Sequence, residues 1–275
     1  MPSAIKKVSI FGCGTTGSAL AHYLEEKNPN LEIAIRDPKK EFFDNILGAQ
    51  FAFICVPVPV SEYDYTQDLT MVMDCLERIH PTTIPIIRST IAPGTVAKLE
   101  KIYNRMIAHM PEFLTARRAV KDMFDQPKMY LGYRNNEPLN DYVNAMITLK
   151  TIFPHKSIIH CLPEEAEMIK LIHNCYGATK VTFFNAVKNY CDSQFVDYET
   201  IREGILSVTD FISPEHTKVP GPDGKHGFGG TCFPLNIRAM IGNTKGHDLH
   251  DWFTLTEKQN FFNREMPEIL KGEES

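Results

Sequence analysis

The sequence predicts an α/β protein, a doubly wound parallel sheet followed by a helical domain with one long central helix. Three observations predict it. Short β-branched runs alternate with amphipathic helical stretches over roughly the first 160 residues. A glycine-rich turn joins the first of these strands to the first helix. Near residue 160 the alternation stops, and helical periodicity then runs for about 28 residues.

The glycine turn is the strongest local signal. In "KKVSIFGCGTTGSALAHYLEE" the run Val8–Phe11 meets GxGxxG at Gly12, Gly14 and Gly17, and a helix-forming stretch follows. The first glycine allows the tight turn, the second lets a pyrophosphate approach the backbone, and the third lets the helix pack on the strand. Thr15 and Thr16 would then open the helix beneath the phosphates. A second strand, "LEIAIRD", ends in Asp37, placed where an acid accepts hydrogen bonds from the ribose hydroxyls of NAD. Arg36 and Lys39 could suit a 2′-phosphate, but Asp37 in that seat would repel one, so NAD is expected rather than NADP.

The pattern continues as a Rossmann-like series. "FAFICVPVPV" reads as a buried strand closed by Pro57 and Pro59, "QDLTMVMDCLERIH" as an amphipathic helix and "TIPIIRST" as a strand. "APGTVAKLEKIYNRM" reads as a helix with Pro93 in its first turn, and "RMIAHMPEF" and "KMYLGYR" as further strands. Ligands of such sheets sit at the carboxyl ends of the strands, where Val56, Pro57, Ser89, Thr90 and the "MPEFL" segment fall. After Pro163 comes the long helix, with glutamates in its first turn. At 1.5 Å per residue it would be about 40 Å long, enough to join two domains or carry a dimer contact. A shorter helix around "DYETIREGILSV", a Pro/Gly-rich loop "SPEHTKVPGPDGKHGFGGTC" and a polar helical tail complete the chain. The expected division is a dinucleotide-binding domain over 1–160 and a helical domain over 161–275.

Composition narrows the function classes. With 275 residues, 43% hydrophobic, and a net charge of -5 without a basic stripe, nucleic acid is not an expected partner. No apolar run is long enough to span a bilayer, and the N-terminus lacks the h-region of a signal peptide. The seven cysteines are scattered without a CxxC pair, as expected of reduced thiols in a cytoplasmic protein without a disulfide framework or zinc site.

Two groups could carry chemistry. Lys170 and Asn174, four apart, share one face of the long helix; they read either as a solvated pair or as a functional one. Cys232, in "HGFGGTCFPLN", reads either as a nucleophile on a shaped loop or as one more buried thiol.

The ordered series GCGTTG, Asp37, CVPVP, STIAPGT, MPEFL, ExxK…N and GFGGTCFP resembles the UDP-glucose/GDP-mannose dehydrogenase family over roughly residues 5 to 240. "AVKDMF" after PEFL and "ATKVTFFNAV" after Asn174 extend the likeness. These enzymes oxidise the C6 alcohol of a nucleotide sugar to a carboxylate with two NAD⁺. The resemblance implies that Cys232 is the nucleophile and that Lys170 stabilises the oxyanion. By the same match Asn174 holds the sugar hydroxyl or the water, and Glu112 is the general base. Thr90 would stand between nicotinamide and substrate. Phe113, Leu114, Phe228, Gly229 and Gly230 would line the sugar pocket with Lys170 and Asn174. A homodimer through the long helix is expected, with Ile169, Ile172, Tyr176, Phe183 and Phe184 as its apolar surface.

The chain also departs from the family pattern. The usual GGxCxPKD has Leu235 and Asn236 for its Lys and Asp. The second acid after Glu112 is Ala116, followed by Arg117 in place of glycine. The family's C-terminal nucleotide-binding domain has no counterpart, so a shortened form is expected. Two other readings stay open: a single-step hydroxyacid dehydrogenase, and an NAD- or nucleotide-binding homologue without activity.

Overall fold

A computed structural model describes residues 5–134, 147–208 and 210–264. They form two compact units, one within Met1–Pro59 and Gln67–Lys170, the other within Val60–Thr66 and Leu171–Ser275.

The first unit is an α/β sheet. In chain order it holds β1 (Lys7–Phe11), α1 (Thr15–Lys27), β2 (Glu32–Asp37), β3 (Phe42–Phe43) and β4 (Phe51–Ile54). Then come α2 (Thr70–Arg78), β5 (Ile84–Ile87), α3 (Thr95–Tyr103), β6 (Ala108–His109), α4 (Ala119–Asp125), β7 (Lys128–Gly132) and β8 (Ser157–Cys161). The strand order is β3-β2-β1-β4-β5-β6-β7-β8. β2, β1, β4, β5 and β6 run parallel, as do β7 and β8, while the β2/β3 and β6/β7 pairs are antiparallel. The sheet is therefore mostly parallel rather than wholly so.

Alternate side chains of the central strands feed two apolar layers, because successive residues of a strand point to opposite faces. Phe51 and Phe53 of β4 join Val8 and Ile10 of β1, Leu20 and Leu24 of α1 and Met123 of α4. Ala52 and Ile54 instead meet Phe11, Ile87, Val72 and Leu76 of α2, and Val96 and Leu99 of α3. A sheet covered on both faces needs such near-continuous apolar strands.

Several boundaries differ from the sequence reading. β4 stops at Ile54, ahead of Pro57, and β6 is two residues long, ending just before Pro111; proline has no N–H to give a ladder. α3 starts at Thr95, so Pro93 precedes the helix rather than opening it. β3, β8 and α4 are further elements that the alternation did not mark.

The second unit is helical. It holds most of α5 (Pro163–Ser193), with α6 (Tyr198–Ser207), α7 (Cys232–Asn243) and α8 (Asp248–Arg264). Leu171, Cys175 and Ala178 of α5 pack with Phe228, with Ile237, Met240 and Ile241 of α7, and with Phe253 of α8. Gly177 permits a close approach of α5 to α7, since a Cβ there would lie 2.7 Å from Cζ of Phe233. Asp197 caps α6, accepting from Thr200 N. The tail beyond Arg264 lies outside the described residues. Among the described residues no helix is long and apolar enough to cross a membrane.

Candidate active site

The glycine turn does what its spacing demands. Gly12 has φ +87°, and a Cβ on it would lie 2.7 Å from the Cys55 carbonyl oxygen. A Cβ on Gly17 would fall 1.9 Å from the Gly12 oxygen, so neither position admits a side chain. Gly14 differs: nothing lies within 4 Å of where its Cβ would be. It is the N-cap of α1 and supplies no side-chain cap, so the amides of that first turn remain open to an anion beside exposed Gly14 and Thr15 and half-buried Thr16.

Asp37, the last residue of β2, folds back onto this turn. Its Oδ2 accepts from Cys13 N at 2.7 Å and its Oδ1 from Lys39 N at 3.1 Å, while Lys40 Nζ donates to Cys13 O at 2.6 Å. The cradle fits a dinucleotide: open glycine, uncapped helix start, and an acid at the end of β2.

The carboxyl ends of β4, β5 and β6 gather the next expected residues. Val56 and Thr90 are half-buried, and Pro57 is exposed. Ser89 Oγ donates to Val56 O at 2.6 Å, tying the β5 exit to that of β4. Glu112 follows β6. Its Oε2 accepts from Leu114 N at 2.6 Å, and its Oε1 from Lys170 Nζ at 3.2 Å. The Lys170 and Glu112 side chains are 4% and 13% exposed, so this pair is largely shielded from water. The Lys170 ammonium also stands 5.3 Å from the centre of the Phe113 ring. Lys170 is thus no solvated surface residue.

Several further residues stand here whose roles the sequence did not mark, Glu167 among them only as the acid of ExxK. Arg88 is buried, and its Nε and Nη1 have no partner among the described residues. His109 is fully buried, and burial pulls it down to about 3, so it is neutral. Its Nδ1 lies 2.9 Å from Ile87 O, which makes Nδ1 the protonated nitrogen. Glu167, one turn before Lys170, has no exposed surface; it accepts from Gly94 N at 2.6 Å and Val96 N at 2.8 Å. Burial pushes its carboxyl up to about 7 despite those two amides.

In the helical unit Asn174 is buried on α5, and its Nδ2 donates to Asn236 Oδ1 of α7 at 2.6 Å. The structure therefore joins two of the sequence-selected residues directly. Cys232 is not a loop residue, as the glycines around it suggest, but the first residue of α7. Pro234 fits there because the first turn of a helix needs no intrahelical N–H. Of the seven cysteines Cys232 alone is exposed. Cys75 and Cys175 show the contrast, since burial pushes both thiols up to about 12.

The preceding loop is clamped by α8. Asn260 Oδ1 accepts from Phe228 N at 2.6 Å, and its Nδ2 donates to Phe228 O at 3.0 Å. A Cβ on Gly227 would strike Asn260, and one on Gly229 would strike Arg264, each within 2.5 Å. Gly230, at φ +75°, faces open space two residues before Cys232. The Phe228 side chain itself belongs to the core.

Residues 39–150 match the NAD binding domain of the UDP-glucose/GDP-mannose dehydrogenase family, and residues 164–265 match the central domain of the same family. The chain belongs to this family. NAD is its cofactor, and the glycine turn and Asp37 lie upstream of the matched segment. The UDP-glucose 6-dehydrogenase of Pseudomonas aeruginosa is 27% identical over 250 residues, which cover 80% of this chain and 52% of that protein. This member of the family thus spans about half the length of the curated relatives it matches. In structure it resembles a UDP-glucose dehydrogenase from Pyrobaculum islandicum, with a TM-score of 0.76 and 19% identity over 95% of this chain and 69% of the other. It also resembles a 3-hydroxyisobutyrate dehydrogenase from Mycobacterium tuberculosis, with a TM-score of 0.67 and 14% identity over 94% and 95%. These likenesses describe the fold.

Asp37→Ala is expected to weaken NAD⁺ binding about ten- to a hundredfold, since hydrogen bonds to a charged group contribute about 1.5–3 kcal/mol. Titration calorimetry with NAD⁺ and NADP⁺ measures it. Equal affinity of the parent protein for both cofactors would refute the role given to Asp37.

Proposed function

We propose that this chain is an NAD-dependent dehydrogenase that oxidises the C6 alcohol of a nucleotide sugar, UDP-glucose foremost, to the uronic acid. The observation that carries the reading is Cys232, the one exposed cysteine, placed at the start of α7. The unpaired amides of a helix start favour negative charge beside them. A two-electron oxidation needs no thiol, whereas alcohol-to-acid oxidation needs a way to hold the aldehyde between two steps.

NAD⁺, when bound, would supply the hydride acceptor for both oxidations, and in the first the C6 hydroxyl proton passes through Glu112 to solvent. On this reading the Cys232 sulfur adds to the C6 aldehyde carbon, and the carbonyl electron pair moves onto oxygen. Lys170 stabilises that oxyanion, and the second Nδ2 hydrogen of Asn174 holds the sugar hydroxyl or the water. Loss of the remaining C6 hydride leaves a thioester on Cys232. Water then attacks, Glu112 takes its proton, the C–S bond breaks, and Cys232 leaves as thiolate. Asn236 cannot take a proton, so its part is to orient Asn174, and Glu112 is the base. Thr90 contacts nicotinamide and substrate, and the backbone of Phe113 and Leu114, with Phe228, Gly229 and Gly230, borders the sugar.

The deciding experiment is an absorbance assay of NADH formed per nucleotide sugar consumed, run against UDP- and GDP-sugars. Two NADH per sugar supports the proposal. One NADH per substrate favours a single-step hydroxyacid dehydrogenase. Binding by thermal shift without turnover would favour an inactive homologue. The chain's thiols are all free, which suits the reducing cytoplasm.

A homodimer through α5 is part of the proposal. Tyr176, Phe183 and Tyr190 are 68%, 60% and 67% exposed, and they recur every seven residues, the repeat that holds one helix face against another. Phe184, by contrast, is buried in the chain's own core and gives nothing to a partner. Light scattering should report a dimer at micromolar concentration, and Phe183→Glu should shift it to monomer. A monomeric parent protein would refute the dimer.

A further inference from the structure

The segment between the end of β5 and the start of α3 carries Thr90, and the structure pins it from both sides. Gln67 grips its middle: Nε2 donates to Thr90 O at 3.2 Å, and Oε1 accepts from Ala92 N at 2.6 Å. Glu167 grips its end. Gly94 is the N-cap of α3 with φ +87°, and no side chain of the segment caps that helix. The Glu167 carboxylate does so instead, one oxygen on Gly94 N and the other on Val96 N, from 71 to 73 residues further along the chain. Capping from so far away fixes more than a helix start; it fixes the start relative to the element that brings the cap.

That element is α5, and Glu167 lies three residues before Lys170 on it. Residues so spaced are neighbours on a helix surface. The first turns of α5 thus hold two exits of the sheet at once: Glu167 the Thr90 segment, and Lys170 the Glu112 segment. Meanwhile the Thr90 hydroxyl makes no hydrogen bond to the described residues. It is left available to a ligand, although the backbone on either side is tied.

We propose that Glu167 and Gln67 are positioning residues for hydride transfer, holding Thr90 in fixed register with Lys170 and Glu112. The proposal rests on the dehydrogenase reading and names two residues that touch neither cofactor nor substrate. Hydride transfer demands it physically, because small displacements of reacting groups cost large factors in rate while leaving the contacts that bind each reactant intact.

The test uses Glu167→Gln, which keeps the shape but turns one acceptor into a donor facing an amide, and Gln67→Met, which removes both grips. Two readouts are taken. Steady-state kinetics with NAD⁺ and UDP-glucose should show kcat lowered about tenfold or more, with KM for NAD⁺ changed less than about twofold. Hydrogen exchange should show the 88–96 peptide exchanging at least about tenfold faster in both variants, with the 8–18 peptide at its parent rate. Unchanged kcat in variants whose 88–96 peptide has loosened would overturn the proposal, as would loosening spread evenly over the chain. Should the parent protein show no turnover, the dehydrogenase reading fails separately, and NAD⁺ alone is the probe. NAD⁺ should then protect 88–96 in the parent and no longer in the variants, with 8–18 protected in all. Protection of 88–96 retained in both variants would overturn the positioning role.

Discussion

Cys232→Ala is expected to abolish uronic acid formation, by about a thousandfold or more, while NAD⁺ binds as before. The side chain is exposed, and a surface substitution of this kind changes stability by about 0.5 kcal/mol or less, so loss of activity could not be laid to unfolding. The glycine turn proposed to receive NAD⁺ belongs to the other compact unit, which keeps cofactor affinity an independent control. Cys232→Ser gives the sharper result. Serine can add to the aldehyde, but an alkoxide leaves far less readily than a thiolate, so the second half of the reaction stalls at an ester. Intact-protein mass spectrometry after incubation with UDP-glucose and NAD⁺ should reveal that adduct on the serine variant and none on the alanine variant. If the alanine variant forms acid as fast as its parent, Cys232 is no nucleophile.

The parts of this site that a sequence can announce are those whose cause is local. Gly12 and Gly17 are glycines because backbone oxygens occupy the space of a side chain, and their spacing alone conveys that. α5 was legible from Pro163 and the glutamates of its first turn, although the helix runs three residues further than its periodicity suggested. Cys232 was only half legible. Gly229, Gly230 and Pro234 around it spell a loop, yet a proline in the first turn costs a helix nothing, and α7 begins at the cysteine itself. β8 was missed because it shows little burial to mark a strand, with only partial cover along its length. Gln67, Arg88 and His109 were invisible for another reason, and Glu167 showed only as the acid of the ExxK motif, without a role. The partners of Glu167, Gln67 and His109 are tens of residues away, and only the assembled fold brings a carboxylate from α5 onto an amide of α3.

Lys170→Met is expected to lower kcat about a hundred- to a thousandfold, the usual loss when one preorganised donor to a developing oxyanion is removed. The substitution keeps the length of the side chain, and a thioether can replace the ammonium against the Phe113 ring, so packing changes little. It does leave Glu112 without its cation. Breaking a buried ion pair from one side costs about 3–5 kcal/mol, and the protein should melt at a lower temperature. Stability and activity can still be separated, because the Glu112 carboxylate keeps its bond to Leu114 N and can be neutralised in its turn. In the double variant Lys170→Met, Glu112→Gln no unpaired charge is left, and much of the melting temperature should return. Activity should not return, since both the oxyanion donor and the base are gone. If the pair served stability alone, kcat would recover with the melting temperature, and the double-mutant cycle would show one coupling energy in both measurements. Stability regained with kcat still lost would place Lys170 and Glu112 in the chemistry.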